Sequence, residues 1–180
     1  DKPLADRLLR DVKKPIGEAA KIALLVNSVR LARDINERLD ANPPSVKGTN
    51  EPARVFLLTG RNRPFMRDQV VNDFEEALDS ASAVRPVIVV ATQCIEAGYD
   101  VSFDRLISEF APVQALIQRL GRLNRYGECE EAEAFIHYRP AERSVYGDVL
   151  VEHWHWVKQH LSTADGADVS PAALDTIVKG

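Results

Sequence analysis

Short apolar runs alternate along this chain with longer stretches of helical periodicity, and that alternation leaves few folds open. Ile22-Ala23-Leu24-Leu25-Val26 and Val87-Ile88-Val89-Val90-Ala91 are apolar without a break, as strands buried on both faces must be. Val55-Phe56-Leu57-Leu58, Arg105-Leu106-Ile107-Ser108-Glu109 and residues 132–138 read as further strands. Between them, Leu31, Ile35 and Leu39 share a helical face behind a capping Ser28. Met66, Val70, Phe74 and Leu78 share another, opened by Pro64, and Val113, Leu116, Ile117 and Leu120 a third, opened by Pro112. Helices are also expected over residues 1–14, 145–161 and 171–178, and an exposed loop over 41–52. Strands alternating with helices imply right-handed crossovers, so the expected fold class is α/β: a parallel sheet with helices on both faces.

The 180 residues, 45% of them hydrophobic, suffice for one such domain. The chain opens on Asp1, with no signal peptide, and reads as a piece of something longer. No apolar run approaches the roughly 20 residues of a membrane span, so no membrane partner is expected. Cys94 and Cys129 are too few for a disulfide framework and lack metal-ligand spacing, which points to a reduced, cytoplasmic setting and no metal site. A net charge of −4 argues against a broadly nucleic-acid-coating surface. It leaves room for a narrow contact carried by a few Arg side chains and backbone N–H groups.

Ligands of open α/β sheets gather beyond the strands' carboxyl ends, so the residues after each run carry the chemistry. Asn27-Ser28-Val29 follows the first run without a glycine pair, which disfavours a dinucleotide-binding domain, and no G-x-x-x-x-G-K-[ST] loop occurs. The chain has no phosphate cradle of its own. After residues 87–91 comes Thr92-Gln93-Cys94-Ile95-Glu96-Ala97-Gly98-Tyr99-Asp100. Gly98 permits close backbone approach, Asp100 can accept from sugar hydroxyls and Thr92 can donate to a phosphate. Equally, Thr92 can be a helix cap, Asp100 a turn residue and Cys94 a small buried hydrophobe.

Gln118-Arg119-Leu120-Gly121-Arg122-Leu123-Asn124-Arg125 is more specific. Spacings of four and three can place Gln118, Arg122 and Arg125 on one helical face. Two guanidiniums there need an anion between them, and planar charged forks suit the oxygens of a transferring phosphoryl group. A solvated basic face or structural salt bridges are the plain alternatives. The order Q-R-x-G-R-x-x-R after A-T-x-x-x-E-x-G-x-D favours phosphate chemistry.

Those two segments resemble motifs V and VI of superfamily 2 helicases, in the second RecA-like domain. Ala23-Leu24-Leu25-Val26-Asn27-Ser28-Val29 resembles motif IV, and Leu57-Leu58-Thr59-Gly60-Arg61-Asn62-Arg63 the strand and loop that touch the nucleic-acid backbone. Within the superfamily, T-Q-x-x-E-x-G-x-D-x-x-F-D-x-L-I-S-E-x-A-P and Q-R-x-G-R-L-N-R are most similar to the helicase half of the CRISPR-associated helicase–nuclease of type I systems. The resemblance covers roughly residues 21–138. DEAD-box relatives usually carry R-G-L-D where Ala97-Gly98-Tyr99-Asp100 stands, which weakens that reading and leaves Tyr99 without a role.

The resemblance implies a RecA-like, P-loop NTPase-like helicase C-terminal domain over 21–140, preceded by a helical linker over 1–20 and followed by a helical post-motor extension over 141–180. It further implies an ATP- and Mg²⁺-dependent translocase on single-stranded DNA. ATP and Mg²⁺ would be bound mainly by a first RecA-like domain that the chain lacks, leaving the isolated domain inactive. Arg122 and Arg125 would meet the γ-phosphate, Arg125 as the finger; Gln118 would contact water or phosphate. Asp100 and Gly98 would lie at the nucleotide, while Thr92, Gly60, Arg61 and Asn27 would face the nucleic acid. Arg119 is more often structural in that family. A CRISPR surveillance complex and a metal-dependent nuclease domain are the further partners implied. A general superfamily 2 helicase outside CRISPR immunity, and a catalytically silent nucleic-acid-binding module, are the alternatives. His137, His153, His155 and His160 are expected in packing or surface roles rather than as metal ligands, and Trp154 and Trp156 in packing against the sheet.

Overall fold

The computed structural model describes residues 2–14, 20–45, 51–60, 86–96, 100–130, 132–139 and 144–160. The helix expected around Met66 to Leu78, the closing helix over 171–178, and the site residues Gly98 and Arg61 lie outside them.

Strands β1 (Lys21–Leu25), β2 (Arg54–Leu58), β3 (Val87–Ala91), β4 (Arg105–Glu109) and β5 (Glu133–His137) form one sheet in the order β2-β3-β1-β4-β5. All four pairings are parallel. The unbroken apolar runs occupy the middle of the sheet, where both faces are covered: every residue of β3 is buried, and only the first of β1 and of β4 is not. The edge strands β2 and β5 are more exposed, each having a neighbouring strand on one side only.

The two-residue period of the strands divides their side chains between two cores. Ala23, Leu25, Val87, Val89, Ala91 and Leu106 point to one face; Ile22, Leu24, Ile88, Val90 and Ile107 point to the other. Helices α1 (Lys2–Val12) and α2 (Val29–Ala41) close the second face with Leu4, Leu8, Val12, Leu31, Ile35 and Leu39. Helices α3 (Val113–Leu120) and α4 (Val149–His160) close the first with Leu116, Leu120, Leu150 and Val157. The segments on either side of 21–140 thus contribute to the same cores as the sheet. Tyr138, Phe110 and Trp154 reinforce the α4 side, with Trp154 stacked on Tyr138 at 4.8 Å and edge-on to Phe110 at 5.1 Å.

Local signals explain the helix ends. Ser28 has extended backbone and its Oγ accepts from the Leu31 N–H, capping α2. α3 stops at Leu120, earlier than a helix through Arg125 would require. Phe103 draws the chain away: its N–H donates to the Arg122 carbonyl and its carbonyl accepts from the Asn124 N–H. Asn124 takes a left-handed φ of 44° there, held by a pair of side-chain hydrogen bonds to the Cys129 backbone. The single helical face expected for Gln118, Arg122 and Arg125 is therefore not formed: after Leu120 the bonding tightens to i→i−3 turns, from Arg122 to Arg119 and from Leu123 to Leu120, and the Asn124 N–H then goes to Phe103.

Candidate functional site

Three arginines of similar chemistry occupy three different environments. Arg119 is fully buried, and its guanidinium reaches back to the ends of the central strands. Its Nε donates to Glu96 at 2.9 Å, its Nη1 to Ser108 Oγ and the Glu109 carbonyl, and its Nη2 to Asn27 Oδ1. Such a charge is stable in a low-dielectric interior only because each nitrogen is answered. Glu109, itself buried, accepts from the Asn27 N–H and pairs with buried Arg139 at 2.8 Å.

Arg122 is nearly buried, with Nη2 donating to the Glu96 carbonyl at 3.0 Å, while its buried Nε has no hydrogen-bond partner among the described residues. A guanidinium so enclosed with an unanswered donor suits a further acceptor. Arg125 is exposed, and its Nε lies 2.8 Å from the Asp100 carboxylate. The Tyr126 hydroxyl donates to the Asp100 carbonyl, and the surrounding desolvation and the Asp100 charge raise the phenol above its ordinary value. Arg125 and Asp100 thus lie together at the surface, while the Arg122 side chain turns to the Glu96 carbonyl and its backbone to Phe103. Gln118 is exposed on the outer side of α3, away from the Arg119 network.

The residues expected at nucleic acid follow the strands' carboxyl ends instead. Gly60 is exposed after β2, and among the described residues nothing lies within 4 Å of where its side chain would be. Thr92 is 4% exposed, its hydroxyl turned to Cys94 Sγ at 3.9 Å; it precedes a short 3₁₀ turn, Gln93–Ile95, without capping it. Asn27 is equally buried, with Nδ2 donating to the Phe110 carbonyl and Oδ1 accepting from Arg119. Its amide is engaged inside the protein.

Glu96, Gln93 and Tyr146 take part in contacts that nothing in the sequence marks. Glu96 was visible as the acidic position before Gly98, but nothing local showed that it holds both Arg119 and Arg122. Gln93 donates to Tyr146 at 2.9 Å, and His153 Nδ1 accepts from the Val113 N–H, so the segment around α4 touches both the loop after β3 and the start of α3. His137 pairs with Asp11 of α1 at 2.6 Å, a packing contact between α1 and β5. Among the described residues no cluster of metal-ligating side chains forms, and no helix is long and apolar enough to cross a membrane.

Residues 18–128 match the family described as CRISPR-associated nuclease/helicase Cas3, C-terminal. The CRISPR-associated nuclease/helicase Cas3 of Streptococcus thermophilus is 29% identical over 168 residues, 81% of this chain and 16% of that protein. The Escherichia coli CRISPR-associated endonuclease/helicase Cas3 is 34% identical over 110 residues, 59% of this chain and 12% of that protein. The chain therefore spans a small fraction of the relatives' length. Among solved structures, T. fusca Cas3-ATP superposes with a TM-score of 0.69 at 16% identity, covering 96% of this chain and 22% of that one. The C-terminal domain of the DEAD-box protein Dbp5 gives 0.56 at 14% identity, covering 88% of this chain and 78% of that one. The sheet is thus a RecA-like helicase fold.

Proposed function

This chain belongs to the Cas3 C-terminal family of CRISPR-associated nuclease/helicases, and from that premise we propose that it is the second half of an ATP-driven motor acting in CRISPR interference. The observation that carries the reading is the exposed Arg125–Asp100 pair at 2.8 Å, with Arg122, three residues earlier, keeping a buried Nε that has no hydrogen-bond partner among the described residues. Two guanidinium forks three residues apart and one exposed carboxylate fit a nucleoside triphosphate: the forks its phosphate oxygens, the carboxylate its ribose hydroxyls. ATP supplies the scissile phosphoanhydride, with Mg²⁺ and the phosphate loop contributed by a first RecA-like domain.

In this scheme Arg125 exchanges its Asp100 partner for phosphate, and Arg122 fills its unanswered Nε. Both spread positive charge over the oxygens of the transferring phosphoryl group, where stabilisation lowers the barrier. Gln118, exposed on α3, orients water or phosphate once the domains close, and Gly98 flanks the nucleotide. Gly60 offers backbone and Arg61 a charge to single-stranded DNA, with Thr92 and Asn27 supporting that surface from beneath. A surveillance complex is the upstream partner; one solved structure with this fold is that of a CRISPR RNA-guided surveillance complex, pre-nicking (TM-score 0.65, 19% identity, 99% of this chain and 22% of that one).

The test is DNA-stimulated ATP turnover by the complete protein carrying this domain. Arg125→Ala is expected to lower it on the order of 10³- to 10⁵-fold without loss of fold. Near-normal turnover in a folded Arg125→Ala protein would sink the reading.

A further inference from the structure

We infer that Glu96 is a positioning residue that sets the guanidinium of Arg122. Its carboxylate holds Arg119 at 2.9 Å and its own backbone carbonyl holds Arg122 at 3.0 Å. The inference rests on the reading that Arg122 meets phosphate, and adds how that side chain is kept in place.

Arg122 lies outside the regular part of α3, in a loop whose backbone is tied to Phe103. That tie fixes the Arg122 Cα and leaves the long side chain to be placed by something else. The Glu96 carbonyl is its hydrogen-bonded partner among the described residues. Position of that carbonyl depends in turn on where the Glu96 side chain is anchored. The anchor is rigid: Arg119 is fully buried and bound to β4 through Ser108 and Glu109 and to the end of β1 through Asn27. The chain of contacts runs from β1 and β4 through Arg119 and Glu96 to Arg122. Phosphoryl-transfer rates respond steeply to such placement, since a 1 Å displacement can cost on the order of 10²-fold.

The experiment measures ATP turnover against ATP concentration in the complete protein, per folded molecule, with single-stranded DNA present. Glu96→Ala is expected to lower kcat about 10- to 100-fold, with KM for ATP within about twofold of wild type. Glu96→Gln, which keeps an oxygen for Arg119 Nε, is expected to recover most of that loss. In an Arg122→Lys background the Glu96→Ala penalty is expected to shrink to within about twofold, because the group being placed is no longer there. An undiminished kcat in folded Glu96→Ala, or the same penalty in both backgrounds, overturns the inference. Should Glu96→Ala fail to fold, Glu96→Asp, one methylene shorter with its charge kept, carries the same comparison. If Arg122→Ala itself leaves turnover intact, the proposed function falls. If Arg122→Ala abolishes turnover while the Glu96 variants do not affect it, the positioning role alone falls.

Discussion

The Nε of Arg125 lies 2.8 Å from the Asp100 carboxylate, so two exposed residues assigned to different parts of the nucleotide hold each other. Exposed pairs of this kind contribute about 0–1 kcal/mol, because water and salt screen them. Asp100→Asn and Arg125→Ala are therefore each expected to leave the urea unfolding free energy within about 1 kcal/mol of wild type. A larger loss would make the pair structural and remove the case for a contact that nucleotide can displace.

Arg119 presents the opposite case. Removing it strands Glu96 and Asn27 inside the protein, and breaking a buried charge pair costs about 3–5 kcal/mol. Arg119→Ala should show that loss in chemical denaturation, and Arg119→Lys most of it, since one ammonium cannot reach acceptors on three elements. A wild-type unfolding curve for Arg119→Ala would contradict the network.

Acid should loosen the docking of α1. Burial pushes the His137 imidazole below its ordinary value of 6.5, only partly opposed by Asp11, so the ring is neutral and donates through Nε2. Burial raises the Asp11 carboxyl, but hydrogen bonds from Lys14 and His137 outweigh it and leave the group below 3.8. Between the lowered His137 value and 6.5 the unfolded chain binds a proton that the folded chain does not. Stability is thus expected to fall as pH drops below 6.5, with the Asp11 contribution lost only below 3.8. Melting temperatures across that range should slope more for wild type than for His137→Gln; equal slopes would refute the assignment.

Cys129 is expected to be chemically quiet. Its thiol donates to Asp104 at 3.0 Å, and that bond together with burial pushes its pKa up to about 11. Near pH 8 only about 10⁻³ of it would be thiolate, the reactive form. Iodoacetamide should label Cys129 far more slowly in the native chain than in urea, as read by peptide mass spectrometry. Comparable rates in both states would show that the Asp104 bond does not form.

Trp154 anchors α4 through its stack on Tyr138 and its edge contact with Phe110. Trp154→Ala is expected to cost about 3 kcal/mol in denaturant unfolding. An unchanged midpoint would mean that α4 does not depend on this cluster.

The sequence by itself determined the class of fold and the order of the described elements. Ile22 to Val26 and Val87 to Ala91 have no polar residue to offer water, so they could only be central strands of a sheet covered on both faces. Ser28 and Pro112 marked helix starts through chemistry confined to one turn. The family was legible too, because the spacing of Glu96, Asp100, Gln118 and the arginines is a local pattern. Tertiary structure decided what each arginine does. Arg119, Arg122 and Arg125 are alike in type and three apart, and helical periodicity grouped the last two with Gln118. Their fates depend on partners far along the chain: Asn27 and Ser108 bury Arg119, the Glu96 carbonyl encloses Arg122, and Phe103 ends the helix and leaves Arg125 beside Asp100. Burial of a charge is settled by whether acceptors from separate strands converge on it, and a one-dimensional spacing carries no record of that convergence.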